Sequence, residues 1–377
     1  TEPDLGPPPL PALDESQLLF FGAMPPKPDW VDYEIPLGSV DYFELFAPDA
    51  PWANALENID AFRLHAVQMR HFLTDDDLRL IIDWLDEHRI PLMFETEPLL
   101  PPDHDECDHA ESFEGPYDLE MAQRYKDLGG TIAVVAIEQP FTYAHQLEGP
   151  RVCHYSMERI VDEITLYLDE MRTIFPGVPM GSIEGLIRSP QTTPEDMAFW
   201  IDTYQELAGE PLEFLHIDVD WSVPEWPEIL HGIEQIADER GVLYNGGHQT
   251  TSEGWLQQAA EYIAEYETNT GGTLDHATLT TWVDQPDRVL PETDLGAFTS
   301  LINRYVGTRS QLEITEIDAP ADSPATVPGR MVDLDGNGLA GQKIEASIID
   351  NDPTAATATV TGMVPADATE AAILTRV

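Results

Sequence analysis

Apolar runs that close on a polar or charged side chain recur along the first 310 residues, and between them lie segments whose apolar positions repeat with the helical period. The clearest runs are Thr131 to Glu138, Pro179 to Glu184 and Leu212 to Asp220. Eight such strands are predicted, at about 18–23, 59–66, 90–97, 130–138, 178–184, 212–220, 241–246 and 277–282. Strands alternating with helices predict parallel βαβ units, and eight of them predict a (β/α)8 TIM barrel over residues 17–310. In such a barrel every strand points the same way, so the polar residues that end the strands converge on one mouth.

Strand alternation sorts those residues further. Along 212–220, the aliphatic set Leu215, Ile217 and Val219 must face the helices, which turns Phe214, His216, Asp218 and Asp220 inward. The same sorting sends inward Arg63 and His65 on the second strand, and Glu95 and Glu97 on the third. It adds Glu138 on the fourth, Glu184 (in register with Met180 and Ser182) on the fifth, Asn245 on the seventh and Trp282 on the eighth. Any one of these alone reads as a hydrogen-bonded polar strand end. Several carboxylates in one confined mouth carry a repulsion and desolvation cost unless paired, protonated or engaged with a ligand. Arg63, His65 and His216 are the inward cations expected to offset it, and Glu138, closing the most apolar strand, is the carboxyl expected to be most raised in pKa. Trp221, directly after Asp220, and Trp282 are the aromatic faces expected to stack on a ligand, whereas Trp255, in a helical pattern, is expected in the core.

Beyond residue 310 the grammar changes. Residues 311–327 have a Pro/Ala/Asp linker composition, and 328–377 carry alternating Thr/Val/Ala segments that predict a small, sandwich-like β appendage. Residues 1–16 are a proline-rich tether; they resemble the extended segment that follows a removed export signal or lipid anchor, which implies an extracellular or cell-surface protein.

Composition narrows the partners. The 377 residues include 70 acidic against 18 basic side chains, a formal charge of −52, and Lys27, Lys126 and Lys343 are the only lysines. Nucleic acid binding, which needs Lys and Arg for phosphate, is excluded, and no apolar run reaches the length of a membrane span. The acids are scattered over helix faces, the pattern of a salt-adapted surface. Their mutual repulsion is screened by salt, so the melting temperature should rise as KCl is taken from millimolar to molar; a flat profile in thermal denaturation would refute the salt-adapted reading.

At the level of architecture the chain resembles the (β/α)8 glycoside hydrolases, which place one carboxylate after strand four and its partner after strand five, six or seven. Glu138 in Ile137-Glu138-Gln139-Pro140 matches the strand-four position. The resemblance implies an enzyme acting on a poly- or oligosaccharide, with Glu138 as one catalytic carboxylate and Asp218 or Glu184 as the other, and Arg63, His65, Glu95, Glu97, His216, Asp220, Trp221, Asn245, His248 and Trp282 around the sugar. The chain departs from the largest clan, whose nucleophile is a Glu after strand seven, because strand seven here ends Tyr244-Asn245-Gly246-Gly247-His248. The terminal stretch from Val360 to Val377 resembles the last strands of accessory sandwich domains on carbohydrate-active enzymes.

Other chemistries are less well supplied. No GxSxG, Walker, GxGxxG or HExxH motif is present, so no cofactor is expected. Asp333-Leu334-Asp335-Gly336-Asn337-Gly338 opens like a calcium loop, yet the twelfth position is Ile344, and a tight hairpin accounts for the same residues. Cys107, His109, Cys153 and His154 could form a zinc site; a Cys107–Cys153 disulfide is the preferred reading. Two further alternatives are a non-catalytic barrel, binding carbohydrate or serving as a cell-surface or virion component, and a barrel enzyme that uses the acidic mouth for a divalent metal.

Overall fold

In the computed structural model, residues 17–31, 36–102, 107, 111–149, 151–237 and 239–308 are described, together with the backbone of five further strands between 310 and 372. Eight parallel strands close into a barrel: β1 Leu18–Gly22, β2 Ala61–His65, β3 Leu92–Thr96, β4 Val134–Glu138, β5 Met180–Leu186, β6 Leu215–Val219, β7 Arg240–Tyr244 and β8 His276–Thr280. β1 pairs with both β2 and β8, which leaves no free edge. Each predicted strand is present; most are trimmed at one end or both, whereas β5 runs on to Leu186 and β7 and β8 start one residue earlier than predicted, at Arg240 and His276.

Helices fill the connections and cover the outside. The helix at Asp75–His88 begins where the Thr74 and Asp77 side chains bond each other's backbone amides, and Asp75, Asp76 and Asp77 sit in its first turn. Thr193 and Asp196 do the same for Pro194–Ala208. Part of the acidic surface is thus helix-start chemistry, with carboxylates at the positive end of the dipole. The final barrel helix runs Thr299–Thr308, later than the 294–305 its pattern suggests. Among the described residues, no helix is long and apolar enough to cross a membrane.

Two apolar layers form. One, between strands and helices, holds Phe62, Phe94, Ile137, Ile217, Trp200 and Trp255, the last buried as expected. The other fills the barrel with Leu18, Phe20, Ala61, Met93, Val134, Ala136, Ile183, Phe214 and Leu243. Ile183 in that inner set corrects the sequence reading of β5. The inward residues there are Gly181, Ile183 and Gly185, so Met180, Ser182, Glu184 and Leu186 face the helices. The Phe214 ring causes this, since a Cβ at Gly181 would lie 2.4 Å from it; the ring needs an empty position on the neighbouring strand.

Past the barrel, β9 Ser310–Ile314, β10 Pro328–Asp333 and β13 Ala371–Ala372 form a three-stranded antiparallel sheet, and β11 Lys343–Ser347 pairs with β12 Thr359–Met363. β9 thus falls largely inside the 311–327 read as linker and joins the β-rich region. The N-terminal tether 1–16, the Asp-Gly-Asn-Gly hairpin at 335–338 and His109 lie outside the described residues.

Candidate functional site

A cleft of about 510 Å3 opens at the C-terminal ends of the strands. Arg63, His65, Glu97, Glu138, Asp218 and Asp220 line it on the polar side. Trp221, Asn245, His248 and Trp282 line it further round, so ten of the thirteen residues singled out above as catalytic or sugar-facing meet in one space.

The base of the cleft is an ion pair. Arg63 spends Nε and Nη2 on the two oxygens of Glu95, which is fully buried, and donates Nη1 to Thr280 Oγ1 at 2.7 Å. Glu95 therefore lies under the cleft rather than in it. Above this pair, His65 Nε2 lies 2.7 Å from Glu138 Oε2, while its Nδ1 accepts the Val67 amide at 3.0 Å and caps the helix Ala66–His71. The Val67 amide occupies the Nδ1 lone pair, so the neutral ring holds its proton on Nε2, facing Glu138.

The carboxyls are pushed apart in acidity. Burial works against ionisation of Glu138, but the charge and hydrogen bond of His65, with Arg63 behind, outweigh it and hold the carboxyl below its usual range. Burial likewise disfavours charge on His65, yet Glu138, Glu95 and Glu97 raise it to about 10; a second proton there would have to displace the Val67 cap. Asp218 goes the other way: burial first, then Glu138 and Glu95, raise it to about 7 against the opposing pull of Arg63. This reverses the sequence expectation that Glu138 is the raised carboxyl. An apolar strand does desolvate its last residue, but the His65 N–H and the Arg63 guanidinium, both from β2, point at this one.

Two expected members are elsewhere. Glu184 is fully buried behind β5, where it accepts from the Phe141 and Thr142 amides, Thr142 Oγ1 and Ser182 Oγ at 2.8–3.2 Å. Burial raises its carboxyl to about 7, and its work is to pin the turn after β4. His216 is buried in the barrel, 2.8 Å from His276 and edge-on to Phe20. Burial and His276 hold it well below the usual histidine range, so it is neutral and offsets no carboxylate.

Three side chains the sequence reading did not assign complete the wall. Glu111, from the loop after β3, lines the cleft and bonds Tyr143, from the turn after β4. Burial, then Glu138 and Asp218, raise Glu111 to about 8. Gln139 lies between, its amide 3.1 Å from Glu111 and 3.4 Å from Asp218. Glu111 follows no strand periodicity, but it sits four residues after Cys107, and Cys107 is bonded to Cys153 as anticipated, tying the loop after β3 to the loop after β4. That bond also consumes both thiolates a zinc site would need.

Among the described residues, His65, Glu97 and Glu138 form the one group of ligand-type atoms that gathers within 4.8 Å. A neutral imidazole has a single lone pair, and here Val67 takes it, so His65 can serve a cation only by giving up the helix cap.

Glu97 gives a direct test of the crowding. Burial, then Glu138, raise it to about 8 from 4.5. A carboxyl raised on folding lends stability below its unfolded pKa, and that contribution is lost as pH climbs through the folded value. Glu97→Gln should therefore match the wild type in thermal denaturation at about pH 4 and exceed it at pH 9 by about 1–3 kcal/mol, the scale for a buried group left unsatisfied. Equal curves at both pH values would show that Glu97 is relieved in some other way.

No family model matches this chain, and no curated protein matches it. Among solved structures it is similar to a GH26 beta-mannanase from Bacteroides ovatus, at 12% identity over 78% of this chain and 90% of that one, TM-score 0.45. It is also similar to an endo-beta-1,4-mannanase of Cellulomonas fimi, at 13% identity over 93% and 90%, TM-score 0.43. An aldolase from Escherichia coli K12 matches at 9% identity over 70% and 75%, TM-score 0.38. Likenesses this distant select no chemistry among the three.

Proposed function

We propose that the cleft is the active site of a glycoside hydrolase-like enzyme acting on a poly- or oligosaccharide. One observation carries the reading: two carboxyls of opposite acidity, Glu138 held ionised and Asp218 raised to about 7, line one open cleft beside Trp282, which is 39% exposed. Asp218 protonates the glycosidic oxygen, and ionised Glu138 attacks the anomeric carbon or draws a proton from the water that does. His65 and Arg63 keep Glu138 charged. Trp221 is stacked on Tyr262 at 4.1 Å and bonded to Asn245 at 3.1 Å, which covers one face of the indole and leaves Trp282 as the more open platform. The disulfide supports an oxidising setting, and we place the protein outside the cell or at its surface.

The test is reducing-end release from a broad panel of α- and β-linked glycans in molar salt, with and without chelator. Hydrolysis that survives chelation supports the reading. Hydrolysis lost to chelator and restored by a divalent ion would transfer the site to metal chemistry. Binding without cleavage, abolished by Trp282→Ala, would make the barrel a non-catalytic carbohydrate receptor.

A further inference from the structure

Gln139, the residue after Glu138, is held in the left-handed region at φ 48°, where a residue with a Cβ is disfavoured. The surroundings enforce it: its amide N–H bonds Ile183 O at 2.8 Å, its carbonyl accepts from Tyr143 at 3.0 Å, and Ser112 Oγ donates to the preceding carbonyl of Glu138. The side chain is 4% exposed and runs over Gly185, where a Cβ would come 2.6 Å from Gln139 Oε1. A bent backbone and an absent side chain on β5 together deliver one amide group to the space between Asp218 and Glu111. Its Nε2 faces Asp218 Oδ2 at 3.4 Å and Glu111 Oε2 at 3.1 Å.

An amide NH2 can only donate, so both facing oxygens must be bare. We propose that Gln139 is a positioning residue that fixes the acid proton of Asp218 on Oδ1, the oxygen left free for the leaving group, and that couples Asp218 to Glu111 through one shared donor. This rests on the acid role given to Asp218 above. Donation to Oδ2 also favours the ionised form, so Gln139 restrains a carboxyl that its neighbours push toward protonation. Glu138 from β4, Glu95 from β3 and Asp220 just past β6 push it that way, Arg63 from β2 opposes them, Glu111 from the loop after β3 and Tyr143 from the turn after β4 also face it, and all stay in place when only Gln139 is changed.

The experiment is Gln139→Met, which keeps the length and bulk of the side chain and removes the donor. Asp218 is followed without substrate by 13C NMR of its side-chain carboxyl, identified by its loss in Asp218→Asn. The Asp218 midpoint should rise by at least about 0.5 pH unit, the direction expected when a donor to the charged form is lost. In turnover, kcat should fall about 10-fold with KM within twofold, and the alkaline limb of the pH profile should move with the NMR midpoint. Gly185→Ala pushes the same amide aside from below and should shift the midpoint the same way, which covers the case in which Gln139→Met fails to fold. An unmoved midpoint in folded variants overturns the proposal even if kcat falls. A moved midpoint in a protein that cleaves no glycan leaves Gln139 its hold on Asp218 and removes the glycosidase reading instead.

Discussion

Glu138→Gln is expected to lower turnover of a cleaved glycan at least about 100-fold while leaving the melting temperature within about 1–2 °C, because the lost pairing with His65 and the relief of the neighbouring carboxyls oppose each other. The substitution is nearly isosteric and takes a negative charge out of a crowded mouth. It also strips Asp218, Glu97 and Glu111 of a neighbour that raises each of them, so the acid partner ionises near neutrality just as the nucleophile or base disappears. Asp218→Asn should show a comparable loss with natural glycans. The two variants part on an aryl glycoside whose leaving group needs no protonation: Asp218→Asn should recover most of its activity there, and Glu138→Gln should not. If Glu138→Gln keeps near-full activity, or if both variants recover alike, the assignment of roles is wrong.

Arg63→Met is expected to destabilise the fold by about 3–5 kcal/mol, because Glu95, fully buried and bonded to it through both carboxylate oxygens, would be left charged without a counter-ion. Changing Glu95 to Gln in the same background removes that charge and should restore most of the loss. Chemical denaturation of the two single variants and the double variant measures this as a coupling energy. A double variant as unstable as the sum of the singles would mean that the pair contributes by packing alone.

Much of the fold was legible because period-2 and period-3.6 patterns are local. The inward sets on β2, β3, β4 and β6 followed from their aliphatic partners, and with them most of the cleft. β5 failed for a definite reason: its inward positions 181 and 185 are glycines, so Ser182 and Glu184 were the only polar residues available to be read as inward. The acidity of Glu138 failed for another, because it is set across strands by His65 and Arg63, and distance between strands is not written in either one. His216 did point inward as read, but into a dry interior beside His276 and Phe20, where it has no charge to lend. Glu111 lay in a segment without periodicity and was missed, although the cysteine four residues before it did signal a loop anchored near the mouth.

The Cys107–Cys153 bond closes a covalent ring across a sequence separation of 46, and Glu111, Glu138, Gln139 and Tyr143 are all carried on it. In the oxidised chain these four can never drift apart as far as their spacing along an open chain would permit, even when everything else is unfolded. By the loop-entropy relation a ring of that size disfavours the denatured ensemble by about 4 kcal/mol. One wall of the cleft, the strand bearing its ionised carboxylate included, is therefore a macrocycle in its own right, and the rest of the barrel assembles around a segment already confined before the first strand pairs.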